Sequence, residues 1–246
     1  MRNRWFLAVI TLVTFAALAL VIYLDSRGPS GPDGGYPESV STPGPNDREG
    51  RQPEELEPEQ HQRAVYAMSV LDTLRADRAR LPYYGELIHI HTGAGRFTEA
   101  ARWASQRARQ TGTFADFTHA AELHVAAMQQ KKDEDRIKEE AKKAKEMYIN
   151  ALELKSEDPD VLTDLAVVYM SLLQPETSYS MLERALIMEP EHLRANFNMG
   201  VLLHKMGSIS ESIPFFDRSV MLADDDPEWK AVVQGYLDRH HDELFH

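Results

Sequence analysis

A period of 34 residues constrains this chain more than any other feature of it. When the sequence is laid on itself with that shift, Tyr148, Leu182 and Phe216 fall in one column, and Ala151, Ala185 and Ser219 fall in another. Leu152, Leu186 and Val220 make a third, and Leu154, Met188 and Leu222 a fourth. Ala144, Ser178 and Ser212 also coincide, which keeps a small residue where one helix must approach the next. In the last two units the preceding segment agrees as well, with Leu165 on Met199, Ala166 on Gly200, Val168 on Leu202 and Tyr169 on Leu203. A unit of this length holds two short helices that cannot bury their apolar faces alone, so successive units must stack.

The spacing within the units is helical throughout. Apolar residues recur at three- and four-residue intervals, as at Val65, Met68, Leu71 and Leu74, without strand-like alternation. Turn signals at Leu81-Pro82, Thr92 to Gly95, Gly112, Asp158-Pro159, Gln174-Pro175, Glu189-Pro190, Gly207 and Asp226-Pro227 cut the pattern into short pieces. The prediction is an all-α domain from residue 59 to 246. It has an opening helix near Gln60 to Arg80, hairpins at about 81–111, 113–156, 159–190 and 193–223, and a capping helix at 227–244. Trp229, Val232, Val233, Tyr236 and Leu237 give that last helix its apolar side. Pro214 falls near a helix start, where it removes one backbone donor or marks the first turn.

At these residues the chain resembles the tetratricopeptide repeat (TPR) family. Leu165-Ala166, Tyr169, Ser178, Leu182, Ala185-Leu186 and Pro190 supply the family pattern in one unit, and Asn198-Met199-Gly200, Gly207, Ser212, Phe216 and Pro227 supply it loosely in the next. The resemblance implies a right-handed α-solenoid of helical hairpins, of the kind found in single-span membrane-anchored bacterial proteins. Gly95 to Ala100 repeats the spacing of Gly207 to Ser212 at an offset of 112, ten residues more than three periods. The surplus is expected at Lys131 to Glu140, where the run KKDEDRIKEEAKKAKE lengthens the second hairpin. Glu134 with Lys138, and Glu139 with Lys143, are spaced to pair on an exposed face.

The N-terminal part is different in kind. Trp5 to Leu24 is a run of 20 residues without a charge, long enough to cross roughly 30 Å of hydrocarbon as a helix. Arg2 and Arg4 precede it, which places residues 1–4 in the cytoplasm and the repeats across an inner membrane, in the periplasm. A cleaved signal peptide with Ala17-Leu18-Ala19 as its small-residue site is the competing reading. Residues 25–58 then read as a disordered tether, since seven of the 13 prolines and six of the 13 glycines lie between Arg27 and Pro58 and large apolar residues are nearly absent. A proline-rich docking ligand is the alternative use of that stretch.

Catalytic and metal chemistry find little support. There is no phosphate-cradling glycine loop, no nucleophile elbow and no His-Glu-x-x-His, and the chain has no cysteine. Among the histidines, His89 and His91 fall on different helical faces, and His119 and His124 are five apart rather than three or four. His240, His241, Asp242, Glu243 and His246 could loosely gather a cation at the C-terminus, but termini with mixed polar residues commonly fray. The carboxylates read as surface charges. No catalytic residue, metal or cofactor is expected. A net charge of -12 argues against nucleic acid as a partner.

The remaining function is binding of another protein, with self-assembly into a membrane-associated array as the alternative. In the family, the first helices of stacked hairpins line a concave groove that takes a peptide or a helix. Mapped onto this chain, the lining is Thr163, Val167 and Met170, then Arg194, Phe197, Val201, His204 and Lys205, with His89 as the counterpart in the first hairpin. Phe197 is the expected anchor, with Arg194 and Lys205 meeting an acidic ligand end. The opposing expectation for Phe197 is a place in the core between repeats. Thr163 and Val167 stand where a clamp for carboxylate tails needs charged or amide groups, so that mode is disfavoured.

Overall fold

In the computed structural model, residues 55–245 are described, and they fall into two compact units, 55–156 and 157–245. The expected membrane-spanning segment, 5–24, lies outside the described residues, as does most of the tether. Among the described residues no helix is long and apolar enough to cross a membrane.

The first unit holds α1 (Pro58–Thr73), α2 (Asp77–Gly93), α3 (Phe97–Thr111), α4 (Phe114–Gln129) and α5 (Glu134–Leu154). The opening helix stops at Thr73, with Leu74 in an extended conformation, and α2 begins at Asp77 rather than Leu81. Pro82 therefore sits inside α2, where its ring cannot donate the helical hydrogen bond to residue 78. Ala64, Ala67 and Leu71 of α1 pack on Tyr84, Leu87 and Ile90 of α2. Farther along, the core is made of small side chains. Ala100, Ala104, Ala108, Ala120, Ala127, Ala141, Ala144 and Ala151 are all buried, which lets neighbouring helices lie close together. Thr113 and Asp133 start α4 and α5 by accepting hydrogen bonds from the Asp116 and Arg136 amides at 3.2 and 3.0 Å.

The ten surplus residues are visible here. Helix α5 has 21 residues, and its counterparts below have 14, so two extra turns of one helix account for seven of the ten. Lys138 to Glu134 at 2.5 Å and Lys143 to Glu139 at 2.7 Å form the two expected pairs on this extension.

The second unit holds α6 (Pro159–Ser171), α7 (Pro175–Met188), α8 (Leu193–Lys205), α9 (Ile209–Leu222), α10 (Pro227–Arg239) and α11 (His241–Phe245). Prolines occupy the first position of α6, α7 and α10, where the missing amide would have no helical partner anyway. Asp158 and Asp226 cap α6 and α10. The closing helix is interrupted at His240, so 227–244 is two helices rather than one.

The repeat columns are core columns. Tyr148, Leu182 and Phe216 are buried, and Ala144, Ser178 and Ser212, with Ala151, Ala185 and Ser219, are completely so. Two columns lie at the edge of the core: Leu152, Leu186 and Val220 are half-buried, and in the fourth Leu154 and Met188 end their helices exposed. Turns repeat too. Gly95 and Gly207, matched by sequence, have φ of 68° and 80°, and Leu173, one period before Gly207, has φ of 57°. A leucine in this left-handed turn is held against its own steric preference.

Where the predicted binding residues lie

Helices α6 and α8 are sunk between their neighbours, and this decides the fate of the expected groove. Phe197 is 0% exposed. Its ring makes edge contacts with Phe216, Trp229 and Tyr236 at centroid distances of 6.2, 6.1 and 5.7 Å. The expectation of a groove anchor is corrected: α10 lays its apolar side, Trp229, Val232, Val233 and Tyr236, in one cluster with Phe197 and Val201. Thr163, Val167, Met170 and His204 are buried as well, and the Thr163 hydroxyl donates to the Pro159 carbonyl at 2.7 Å. Lys205 is half-buried, and His89, in the other unit, is exposed.

Arg194 faces carboxylates of its own chain. Its guanidinium pairs with Asp164 and reaches Asp160 at 3.4 Å, both one repeat earlier on α6. His192 completes the set. Its Nδ1 accepts the Ala195 amide at 3.1 Å, so in the neutral ring the proton sits on Nε2 and points to Asp160 Oδ1 at 3.1 Å. The charge assigned to an acidic ligand is thus engaged in joining α6 to α8.

A buried polar chain in the first unit was missed by sequence reasoning. Ser105 Oγ lies 2.9 Å from His124 Nε2, and His124 Nδ1 lies 2.7 Å from Glu140 Oε2. All three residues are buried, and Lys143 reaches the other Glu140 oxygen at 3.1 Å. Burial pushes the Glu140 carboxyl up, but hydrogen bonds from His124 and Lys143 outweigh it and hold the group below its ordinary value. The expectation that the carboxylates are surface charges is corrected here. Serine, histidine and carboxylate stand in the order of a hydrolytic triad, yet Ser105 is mid-helix on α3, where interior amides are used by the helix and offer no oxyanion donor. A cavity of about 410 Å³ in this unit is lined by Arg63, Tyr66, Ala67, Pro82, Tyr83 and Glu86, none of them in the chain of polar groups. The three residues tie α3, α4 and α5 together. The signal was available: Glu140 lies four residues before Ala144, on the small-residue face.

At the C-terminus, His204, Tyr236, His240 and Glu243 converge. His204 Nδ1 is 2.8 Å from the Tyr236 hydroxyl, and its Nε2 is 3.1 Å from Glu243 Oε2. His240 Nδ1 is 3.2 Å from the same oxygen. Burial, then the nearby His240, push the His204 ring below its ordinary value against the opposing pull of Glu243. Elsewhere on the second unit two large apolar side chains stand out in solvent, Ile187 at 75% and Met221 at 77% exposure. They are one period apart.

Comparisons with known proteins agree with this architecture. No protein-family profile matches the chain. Human protein O-mannosyl-transferase TMTC3 is 37% identical over 68 residues, the length of two repeats, and these cover 27% of this chain and 7% of the transferase. The chain thus spans a small part of that relative. Among solved structures, TTC0263, a thermophilic TPR protein of Thermus thermophilus, superposes with a TM-score of 0.53 at 16% identity, covering 72% of this chain and 98% of that one. MamA superposes at 0.50 and 16% identity over 66% of this chain and 87% of its own. The fold is therefore TPR-like.

Proposed function

We propose that this chain is a non-catalytic protein-interaction scaffold, held at a membrane by Trp5–Leu24 and displaying its helical hairpins on the far side of the bilayer from its N-terminus. The observation that carries the reading is the repeat itself: most of the 34-residue columns that match between repeats are core columns, so the chain's regularity is spent on stacking hairpins, the architecture whose use is display of a surface. Membrane attachment rests on the 20-residue uncharged run and on Arg2 and Arg4 before it. With a bacterial source, the repeats would stand in the periplasm and the partner would be an envelope protein in assembly, biogenesis or quality control. Protease added outside the membrane should then degrade the repeats and leave a short N-terminal fragment; a protected repeat domain would reverse the topology.

The binding surface is re-sited by the burial of Phe197. What the second unit offers along its first helices is polar: the exposed Asp160 and the half-buried Lys205. This favours a partner segment read by charge over one anchored by an aromatic pocket.

Self-assembly remains a second reading because Ile187 and Met221, one period apart, are both exposed. Sedimentation of residues 59–246 separates the two. A monodisperse monomer supports recognition of a different protein. Concentration-dependent growth abolished by Ile187→Ser with Met221→Ser supports assembly of copies.

A further inference from the structure

We propose that His204, His240 and Glu243 form a site for a divalent transition metal, Zn²⁺ or a close mimic, that pins the C-terminal helices onto the last hairpin. One nitrogen or oxygen from each of the three lies within 4.8 Å of the others. The two edges that the structure gives, His204 Nε2 to Glu243 Oε2 at 3.1 Å and His240 Nδ1 to the same oxygen at 3.2 Å, are close to the separation required by a tetrahedral ion. Bonds of roughly 2.0–2.1 Å to such an ion put neighbouring ligand atoms about 3.3 Å apart.

The surroundings match a metal site beyond the ligands. A ligating imidazole needs its second nitrogen fixed by an outer partner. The Tyr236 hydroxyl, 2.8 Å from His204 Nδ1, can accept that N–H and leave the Nε2 lone pair directed at Glu243 and the ion. Both rings are held by packing. The His204 and His240 centroids are 4.9 Å apart, and Tyr236 packs on both rings, 5.8 Å from His204 and 4.5 Å from His240.

The ligand chemistry selects the ion. Two imidazoles and one carboxylate suit Zn²⁺ and its neighbours, whereas Ca²⁺ and Mg²⁺ take oxygen ligands. Glu243 is 64% exposed on its side chain, so the fourth position opens to water and accepts one as its ligand. The mechanical consequence follows from chain position. His204 ends α8, His240 lies at the break between α10 and α11, and Glu243 is on α11, so one ion would join three elements. Residues 227–245 would then cap the last hairpin more firmly in metal than without it.

The test uses the full chain in detergent, stripped with chelator and titrated with Co²⁺ and then Zn²⁺. The expected result is one equivalent bound, visible bands of four-coordinate Co²⁺, their loss on adding Zn²⁺, and a raised melting temperature with Zn²⁺. His240→Gln and Glu243→Gln should each weaken binding by about 100-fold or more and remove the thermal shift, and Tyr236→Phe should weaken it by roughly 10–100-fold, as loss of an outer partner does. His61→Gln, on the exposed face of α1, is the control and should leave the titration unchanged. The proposal is overturned if the wild-type chain takes up no stoichiometric Co²⁺. It is also overturned if the affinity survives both His240→Gln and Glu243→Gln, which would place the ion elsewhere.

Discussion

Gly200→Ala puts the repeat packing to a quantitative test. In the interior of a helix, alanine is favoured over glycine by about 1 kcal/mol, so α8 viewed alone should gain stability. The structure predicts the opposite sign. A Cβ on Gly200 would stand 2.8, 2.9 and 3.1 Å from three ring atoms of Phe216, well inside the roughly 3.5–4.0 Å of ordinary carbon contacts. The ring cannot easily withdraw, because Phe197 and Tyr236 pack on it at 6.2 and 5.4 Å. Overpacking of this kind costs about 1–3 kcal/mol. Set against the propensity gain, the net expectation is a loss of about 1 kcal/mol, or roughly 2–4 °C in melting temperature for a domain of this size. One repeat earlier the chain carries the other solution, Ala166 with Leu182, both fully buried. Phe216→Leu should therefore rescue Gly200→Ala, and a double-mutant cycle by urea denaturation should return a favourable coupling of about 1 kcal/mol or more. A Gly200→Ala chain more stable than wild type, or a double variant whose losses simply add, would refute the packing argument.

Three further outcomes follow from the same structure. Leu173→Gly should stabilise the chain by about 1 kcal/mol, measured as a shift in denaturation midpoint, since a left-handed leucine costs roughly 1–2 kcal/mol relative to glycine. Phe197→Ala should destabilise by about 3–5 kcal/mol, as for a core aromatic, and calorimetry showing an unchanged melting temperature would return Phe197 to the surface. Glu140 gives a pH signature. Its folded-state affinity for a proton is lowered from the ordinary 4.5, so its contribution is present above that value and is lost as pH falls through the folded one. Denaturation at a series of pH values should show Glu140→Gln most damaging near neutrality, with the gap to wild type closing below about 4.5.

The parts of the fold that were legible in the sequence are those set by local, periodic demands. The columns through Tyr148, Leu182 and Phe216 recur because each repeat meets its neighbour in the same way, and the Gly95 and Gly207 turns recur because a hairpin must reverse there. Phe197 was misplaced because its cover comes from Trp229 and Tyr236, more than 30 residues away, in a helix that the repeat pattern describes only as a cap. Arg194 was assigned to a ligand for a related reason: Asp160 and Asp164 lie one repeat back, and a single-helix reading does not bring them opposite. Glu140 was hidden by its composition, since it sits in a charged run in which its neighbours Glu139 and Lys142 do face solvent, and only the four-residue step to Ala144 sets it apart. The C-terminal cluster was treated as a frayed end because mixed polar residues at a terminus commonly fray, but Leu244 is buried in the core and fixes that end in place.

The central claim is that this chain displays a surface to another protein at a membrane, and site-specific photocross-linking of the full chain in its native membrane tests it most directly. A cross-linker at Lys205, at His89 and at Ile187 samples the first-helix side of each unit and the exposed apolar row, and one at Phe197 samples the core. The account predicts a discrete adduct with one different protein from at least one surface position and none from Phe197. Illumination that yields no adduct from any surface position, or adducts made of this chain alone, would contradict it.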